Sequence, residues 1–130
     1  LTELRASEHC DFSGACFARA IGRESIWESA NLTDADFTFC RMQGGFFTNA
    51  NLERADLSAA DMKFARFDNA NLKGARLVQM NLFEGSLEKA DLTGTDLTGS
   101  NMYGAEFLDA KLENTVTVDT NLKMTKLQKV

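Results

Sequence analysis

The sequence predicts a solenoid, a chain that bends every five residues and winds into a square coil. Large apolar residues recur at every fifth position from Phe12 to Leu127 without slippage, filling 22 of 24 places, with Gly22 and Thr117 the exceptions. Two residues before each, 23 of the 24 places hold Ala, Gly, Ser, Cys or Thr, and Met80 is the odd one. Residues 20 apart also match in kind, as they would if four repeats closed one turn.

A period of five fits neither regular element, because strand side chains alternate at 2 and helical ones return at 3.6. A repeating bend is required. Each five-residue unit then turns one large and one small residue inward and three outward, and buries its apolar side by stacking on its neighbours. Gly14, Gly44, Gly74, Gly94, Gly99 and Gly104 stand two residues after the large one, the place where the bend asks for a positive φ. Proline is absent, as expected where backbone N–H groups bond to the coil above or below.

Read at a period of 20, the inward series separates into four ladders. Leu32, Leu52, Leu72, Leu92 and Leu112 follow Phe12 on the first, and Phe17, Phe37, Leu57, Leu77 and Leu97 form the second. Met42, Met62, Leu82 and Met102 make a Met-rich third, while Trp27, Phe47, Phe67, Leu87 and Phe107 make an aromatic fourth. Gly45 and Gly85, each two residues before a member of the fourth, predict extra room on the aromatic face.

Four stretches carry a family resemblance: Ala50-Asn51-Leu52-Glu53-Arg54, Ala55-Asp56-Leu57-Ser58-Ala59, Ala70-Asn71-Leu72-Lys73-Gly74 and Ala90-Asp91-Leu92-Thr93-Gly94. They resemble the A(D/N)LXX motif of the pentapeptide-repeat family, over a span from Cys10 to about Gln128. The resemblance implies an all-β fold, a right-handed quadrilateral β-helix with four repeats per coil and about six coils. At a strand-like spacing of about 4.8 Å per coil the rod would be roughly 29 Å long. The constant phase leaves no long loops. Residues 1–9 read as an irregular N-terminal segment or cap, and residues 10–128 as the β-helix domain.

Composition narrows the function classes. At 130 residues and 44% hydrophobic the chain is sized for one domain with a core. A net charge of −5 with scattered Lys and Arg argues against direct nucleic-acid binding, which needs clustered cations. Apolar runs are only a few residues long, so no membrane span and no signal-peptide core are predicted. The opening Leu1, rather than Met, points to a fragment or processed product of a longer chain.

Catalytic, cofactor and metal sites find no support in the residue pattern. Cys10, Cys16 and Cys40 are odd in number without CxxC spacing, and Cys10 and Cys40 fall in the small-residue phase, where they read as buried substitutes for Ala. Free thiols favour a reducing, cytoplasmic setting for this segment. His9, the only histidine, has no evident partner. Asp11, Asn31, Asn51, Asn71 and Asp91, spaced by 20, predict a hydrogen-bonded ladder between coils rather than acid–base chemistry.

What stands out are aromatic residues outside the inward phase. Phe39, Phe46, Phe64, Phe83 and Tyr103 occupy positions predicted to face solvent. Phe83 and Tyr103 should stack, with Phe64 at the neighbouring corner one coil below, and Ile26 and Phe46 form a second pair. Contiguous exposed aromatic residues mark interfaces.

The resulting expectation is a non-catalytic protein–protein interaction or scaffold module using Phe64, Phe83 and Tyr103, with Ile26 and Phe46 as second choice. The resemblance implies a setting within a larger bacterial protein, secretion- or effector-associated. It also implies an alternative, a DNA-mimic regulator of a gyrase-type topoisomerase. Arg41, Arg54, Arg66, Lys73 and Arg76 interrupt the acidic surface that such mimicry needs. The ends are less regular, with Gly22 near one and Thr115-Val116-Thr117-Val118 near the other. Exposed coil edges invite pairing, which predicts capping by a missing segment or an end-to-end homodimer.

Overall fold

The computed structural model describes residues 4–6 and 10–126. His9, Leu127 and Gln128 lie outside the described residues, as do Leu1 to Glu3, Ser7 and Glu8 of the predicted N-terminal segment.

In the repeat at Leu52 every backbone N–H has a partner, and the pattern explains the residues chosen. Asn51 donates to Ala30 in the preceding coil at 3.0 Å, and Leu52 and Arg54 donate to Asn71 and Lys73 in the following coil at 2.7 and 2.9 Å. Ala55 donates to Leu52 at 3.0 Å and closes the turn. Glu53 N–H would be left over, and the Asn51 side-chain oxygen accepts it at 3.1 Å. The Asn or Asp of the motif is therefore a local acceptor for the backbone two residues on. Thr33, Thr38, Thr93 and Thr98 add a hydroxyl bond to the same oxygen.

Parallel bridges link residues 20 apart from Asp11↔Asn31 through Glu106↔Lys126, so four repeats close each turn of a β-solenoid. All corners from Gly14 to Met124 have φ between 51° and 70°, and only six of them are glycine. A positive φ confined to the third residue of a four-residue bend is the signature of a type II turn. Among the described residues the register changes at one place. Arg5 bridges Ile26, 21 residues away, and Ala6 is buried where a large residue would otherwise stand beneath Trp27.

The core is the predicted stack. Trp27, Phe47 and Phe67 lie ring on ring, with centroids 6.1 and 4.8 Å apart and planes within 11°. Gly22, the vacant large position, falls in the coil where Trp27 meets Phe12 and Phe17 edge-on at 5.7 and 4.9 Å. Polar residues in the small phase are buried and satisfied: Ser25 accepts from Trp27 Nε1 at 2.8 Å, and Thr95 and Ser100 donate to the carbonyls of Leu72 and Leu97.

Three expectations need adjustment. Gly45 does leave room that the aromatic face uses, since an added Cβ would stand 2.9 Å from the Phe47 ring. At Gly85 the space is taken instead by Leu82 of the Met-rich ladder, whose Cδ1 would lie 2.5 Å from that Cβ. Cys10 is only half-buried, because it lies in the first regular coil, where Phe12 and Phe17 are also partly open, whereas Cys40 is buried. Leu112 and Leu122, inward by phase, are 42% and 38% exposed, because no described coil follows to cover them.

Candidate docking surface

Three of the outward aromatic residues, Phe64, Phe83 and Tyr103, are gathered as predicted. Phe64 and Phe83 meet edge to face with centroids 6.0 Å apart, and Phe83 stacks on Tyr103 at 5.5 Å with planes 10° apart. The three rings form one ridge along a corner of the rod, carried by consecutive coils. Phe83 and Tyr103 are half-buried, while Phe64 is 51% exposed. Phe64 sits at a corner with φ 64°, a conformation costing an L residue about 1–2 kcal/mol relative to the right-handed one. Strain and exposure fall on the same bulky side chain.

Ile26 and Phe46 are joined by a parallel bridge and are half-buried. They stand just past the corner at Glu24 and Gly44, on the other side of the same edge that carries Phe64. The predicted sets are therefore two flanks of one edge, although no ring contact between Phe46 and Phe64 is found among the described residues.

That edge is grooved. An open cleft of about 720 Å³ is lined by Arg23, Glu24, Gln43, Gly44, Lys63 and Phe64. Two smaller hollows continue past the ridge, one touching Phe64 and Glu84 and the other Glu84 and Tyr103. Gly44 makes the notch by carrying no side chain between Glu24 and Phe64; a Cβ there would stand 3.3 Å from Glu24 Cγ.

Phe39 was legible as an outward aromatic, but its partner was not. The Arg19 guanidinium lies 5.0 Å from the centre of the Phe39 ring, a cation–π contact between corners 20 residues apart. The signal for that pair is the period of 20 in the corner series, which sets Arg19 and Phe39 on one corner in successive coils. Phe39 is 56% exposed and also held at positive φ.

The carboxylates act as turn acceptors. Asn31 donates to Asp11 across coils at 3.2 Å and Asn71 to Asn51 at 3.3 Å, so two of the four steps of the predicted ladder are bonded among the described residues, and on another side Asn101 donates to Asn81 at 3.3 Å. Hydroxyl and backbone bonds from Thr38 and Thr98 hold Asp36 and Asp96 below the ordinary carboxylate value. Burial pushes the Cys40 thiol up to about 12. No group of three His, Cys, Asp or Glu side chains able to hold a metal is found among the described residues. No helix there is long and apolar enough to cross a membrane.

A square solenoid with an Asx-supported type II turn every five residues defines a class, the β-helical repeat proteins. The pentapeptide-repeats family model matches eight copies, over residues 30–64, 50–88, 60–99 and 81–116, and the chain belongs to the pentapeptide-repeat family. It is similar to a pentapeptide-repeat protein of the Arabidopsis thaliana thylakoid lumen, at 32% identity over 86% of this chain and 69% of that one, with a TM-score of 0.48. It is also similar to a trypsin-treated form of QnrB1, a plasmid-mediated fluoroquinolone resistance protein. There the identity is 21% over 91% of this chain and 79% of that one, and the TM-score is 0.64. A second trypsin-treated form of QnrB1 gives 24% identity, 91% and 77% coverage and a TM-score of 0.60. At these identities the QnrB1 likeness is one of fold. A search of curated protein sequences returned no match.

Proposed function

We propose that this chain is a non-catalytic binding rod, right-handed and of about six coils, that docks another protein on the ridge of Phe64, Phe83 and Tyr103. The observation that carries the reading is the contiguous ring contact of three outward aromatic residues, one of them both strained and half-exposed. Folding alone gains little from placing Phe64 there, whereas an interface would bury it. Backbone already ordered by coil-to-coil bonds leaves mainly side chains to immobilise on binding. Ile26 and Phe46 extend the same edge and belong to the rim of the surface.

The setting we favour is a bacterial one, as a module of a larger secretion- or effector-associated protein. The exposed Leu112, Val116 and Leu122 support a cover over that end, by a second copy or a flanking segment. Sedimentation at twice the chain mass would support the second copy.

The test of the ridge is affinity capture from source-cell lysate with the wild-type chain and a Phe64/Phe83/Tyr103→Ser form, read by mass spectrometry. A specific partner retained by the first and lost by the second is the expected result. Capture of gyrase subunits by both forms would replace this reading with the DNA-mimic one.

A further inference from the structure

The four sides of the rod differ in charge. Each side can be assembled from the register of 20, taking for each repeat the residue before the large one and the two turn residues after it. Between residues 11 and 126, the sides centred on Leu72 and on Phe67 each carry three basic and five acidic groups, and the side centred on Leu77 carries two against four. The side centred on Met62 alone reverses the balance, with four basic groups (Arg23, Arg41, Lys63, Lys123) against three acidic ones (Glu24, Asp61, Glu84). It is also the side that holds the aromatic ridge and the large cleft. Its other edge is the corner carrying Phe39 under Arg19.

The basic groups are available. Arg23 and Arg41 are exposed and Lys63 is half-buried, and among the described residues none of the three is in an ion pair. By contrast Arg54 is paired with Asp34 at 2.9 Å and Arg66 with Asp68 at 3.1 Å. Asp61, the acid between Arg41 and Lys63, accepts from the Gln43 amide at 2.8 Å. The cleft floor at Gly44 thus lies between unpaired cations and the Phe64 ring, with Glu24 the single acid on its wall.

We infer that this side takes an extended acidic segment of a partner protein, with apolar side chains against Phe64 and Phe39 and carboxylates over Arg23, Arg41 and Lys63. The inference rests on the ridge reading and adds the partner's chemistry to it. Charge complementarity selects a short acidic segment over a nucleic acid. A long polyanion would extend past the few cations to the other three sides, all of them net acidic, and be repelled there. A volume of about 720 Å³ is large enough for anchoring side chains.

The test is fluorescence anisotropy with a labelled peptide of repeating Asp-Leu-Glu-Phe, beside a Lys-Leu-Lys-Phe counterpart and a single-stranded oligonucleotide. The folded wild-type chain should prefer the acidic peptide, and high salt should weaken that binding. Reversing three charges as Arg23→Glu, Arg41→Glu and Lys63→Glu should weaken it about tenfold or more, and Arg23→Gln with Arg41→Gln by less. Circular dichroism melts check that both forms stay folded. Equal binding of the two peptides, unchanged affinity in the charge variants, or tighter binding of the oligonucleotide would overturn the inference. If only the Phe64/Phe83/Tyr103→Ser form loses the acidic peptide, the acidic-partner inference fails and the ridge reading stands. If only the charge variants lose it, the ridge reading fails.

Discussion

Single residues reveal how narrow the interior is. Met80 is fully buried in a place where its stacking neighbours are Ala60 and Ser100, and five residues on Gly85 stands in another small place. Leu82, between them, reaches into the space at Gly85. Met80 adds volume to this coil and Gly85 returns it. Gly85→Ala, whose Cβ would stand 2.5 Å from Leu82 Cδ1 and 2.8 Å from the Ala65 carbonyl, should cost about 1–3 kcal/mol in a thermal melt. Pairing it with Met80→Ala should recover part of that loss, and strict additivity would refute the compensation. Gly94→Ala, at φ 70° with only one backbone atom at 3.9 Å, should cost about 1 kcal/mol from conformation alone. The turn carboxylates set the acid limit. Because Asp36 and Asp96 have lowered values when folded, their contribution is present above the unfolded value near 3.8 and is lost as pH falls through the folded values. The melting temperature should therefore hold toward neutral pH and fall in acid, and Asp36→Asn with Asp96→Asn, which keep the acceptor but not the proton, should flatten that fall.

At the scale of one coil, stability is a matter of neighbours. Leu72 is fully exposed to no solvent, at 0%, and lies between Leu52 and Leu92 in the same ladder. Leu72→Asp would place an unpaired charge in that stack, where even a neutral unbonded polar group costs about 2–7 kcal/mol. Loss of the β signal in circular dichroism is the expected outcome, and a folded variant would mean that the inward phase is wrong. The Asn ladder is a milder case. Asn51 accepts from Glu53 N–H and from Asn71 Nδ2, so Asn51→Leu leaves both donors unmet and should cost about 1–3 kcal/mol. These costs differ because the core site has no water to fall back on, while the ladder is only part-buried.

Over the whole rod, identity of ladder depends on a repeat of 20, so the molecule should tolerate removal of one full turn better than of half a turn. Deleting residues 51–70 keeps Leu over Leu and aromatic over aromatic, and leaves a shorter rod with one fewer interface between coils. Deleting residues 51–60 preserves the five-residue phase but turns each later ladder onto a different side, placing the Met-rich ladder where Leu stood. Melts of the two deletions should rank the shorter chain above the longer one in stability; the opposite order would mean that the ladders contribute little beyond the five-residue phase.

Much of this was determined by the sequence itself. The period of five requires a bend in every repeat, and the match at 20 assigns Trp27, Phe47 and Phe67 to one stack before any coordinate is known. Phe64, Phe83 and Tyr103 were legible as neighbours for the same reason, because a constant period turns sequence separation into distance. Only the tertiary structure decided what depends on side-chain direction and on the ends. It put Leu82 into the space at Gly85, opened Leu112 and Leu122 at the last turn, set Arg19 over Phe39, and set Arg23 and Lys63, in no ion pair among the described residues, on the wall of a cleft. A periodic sequence specifies which residues share a side, but rotamers, pairing and exposure are settled by the atoms that happen to surround each one.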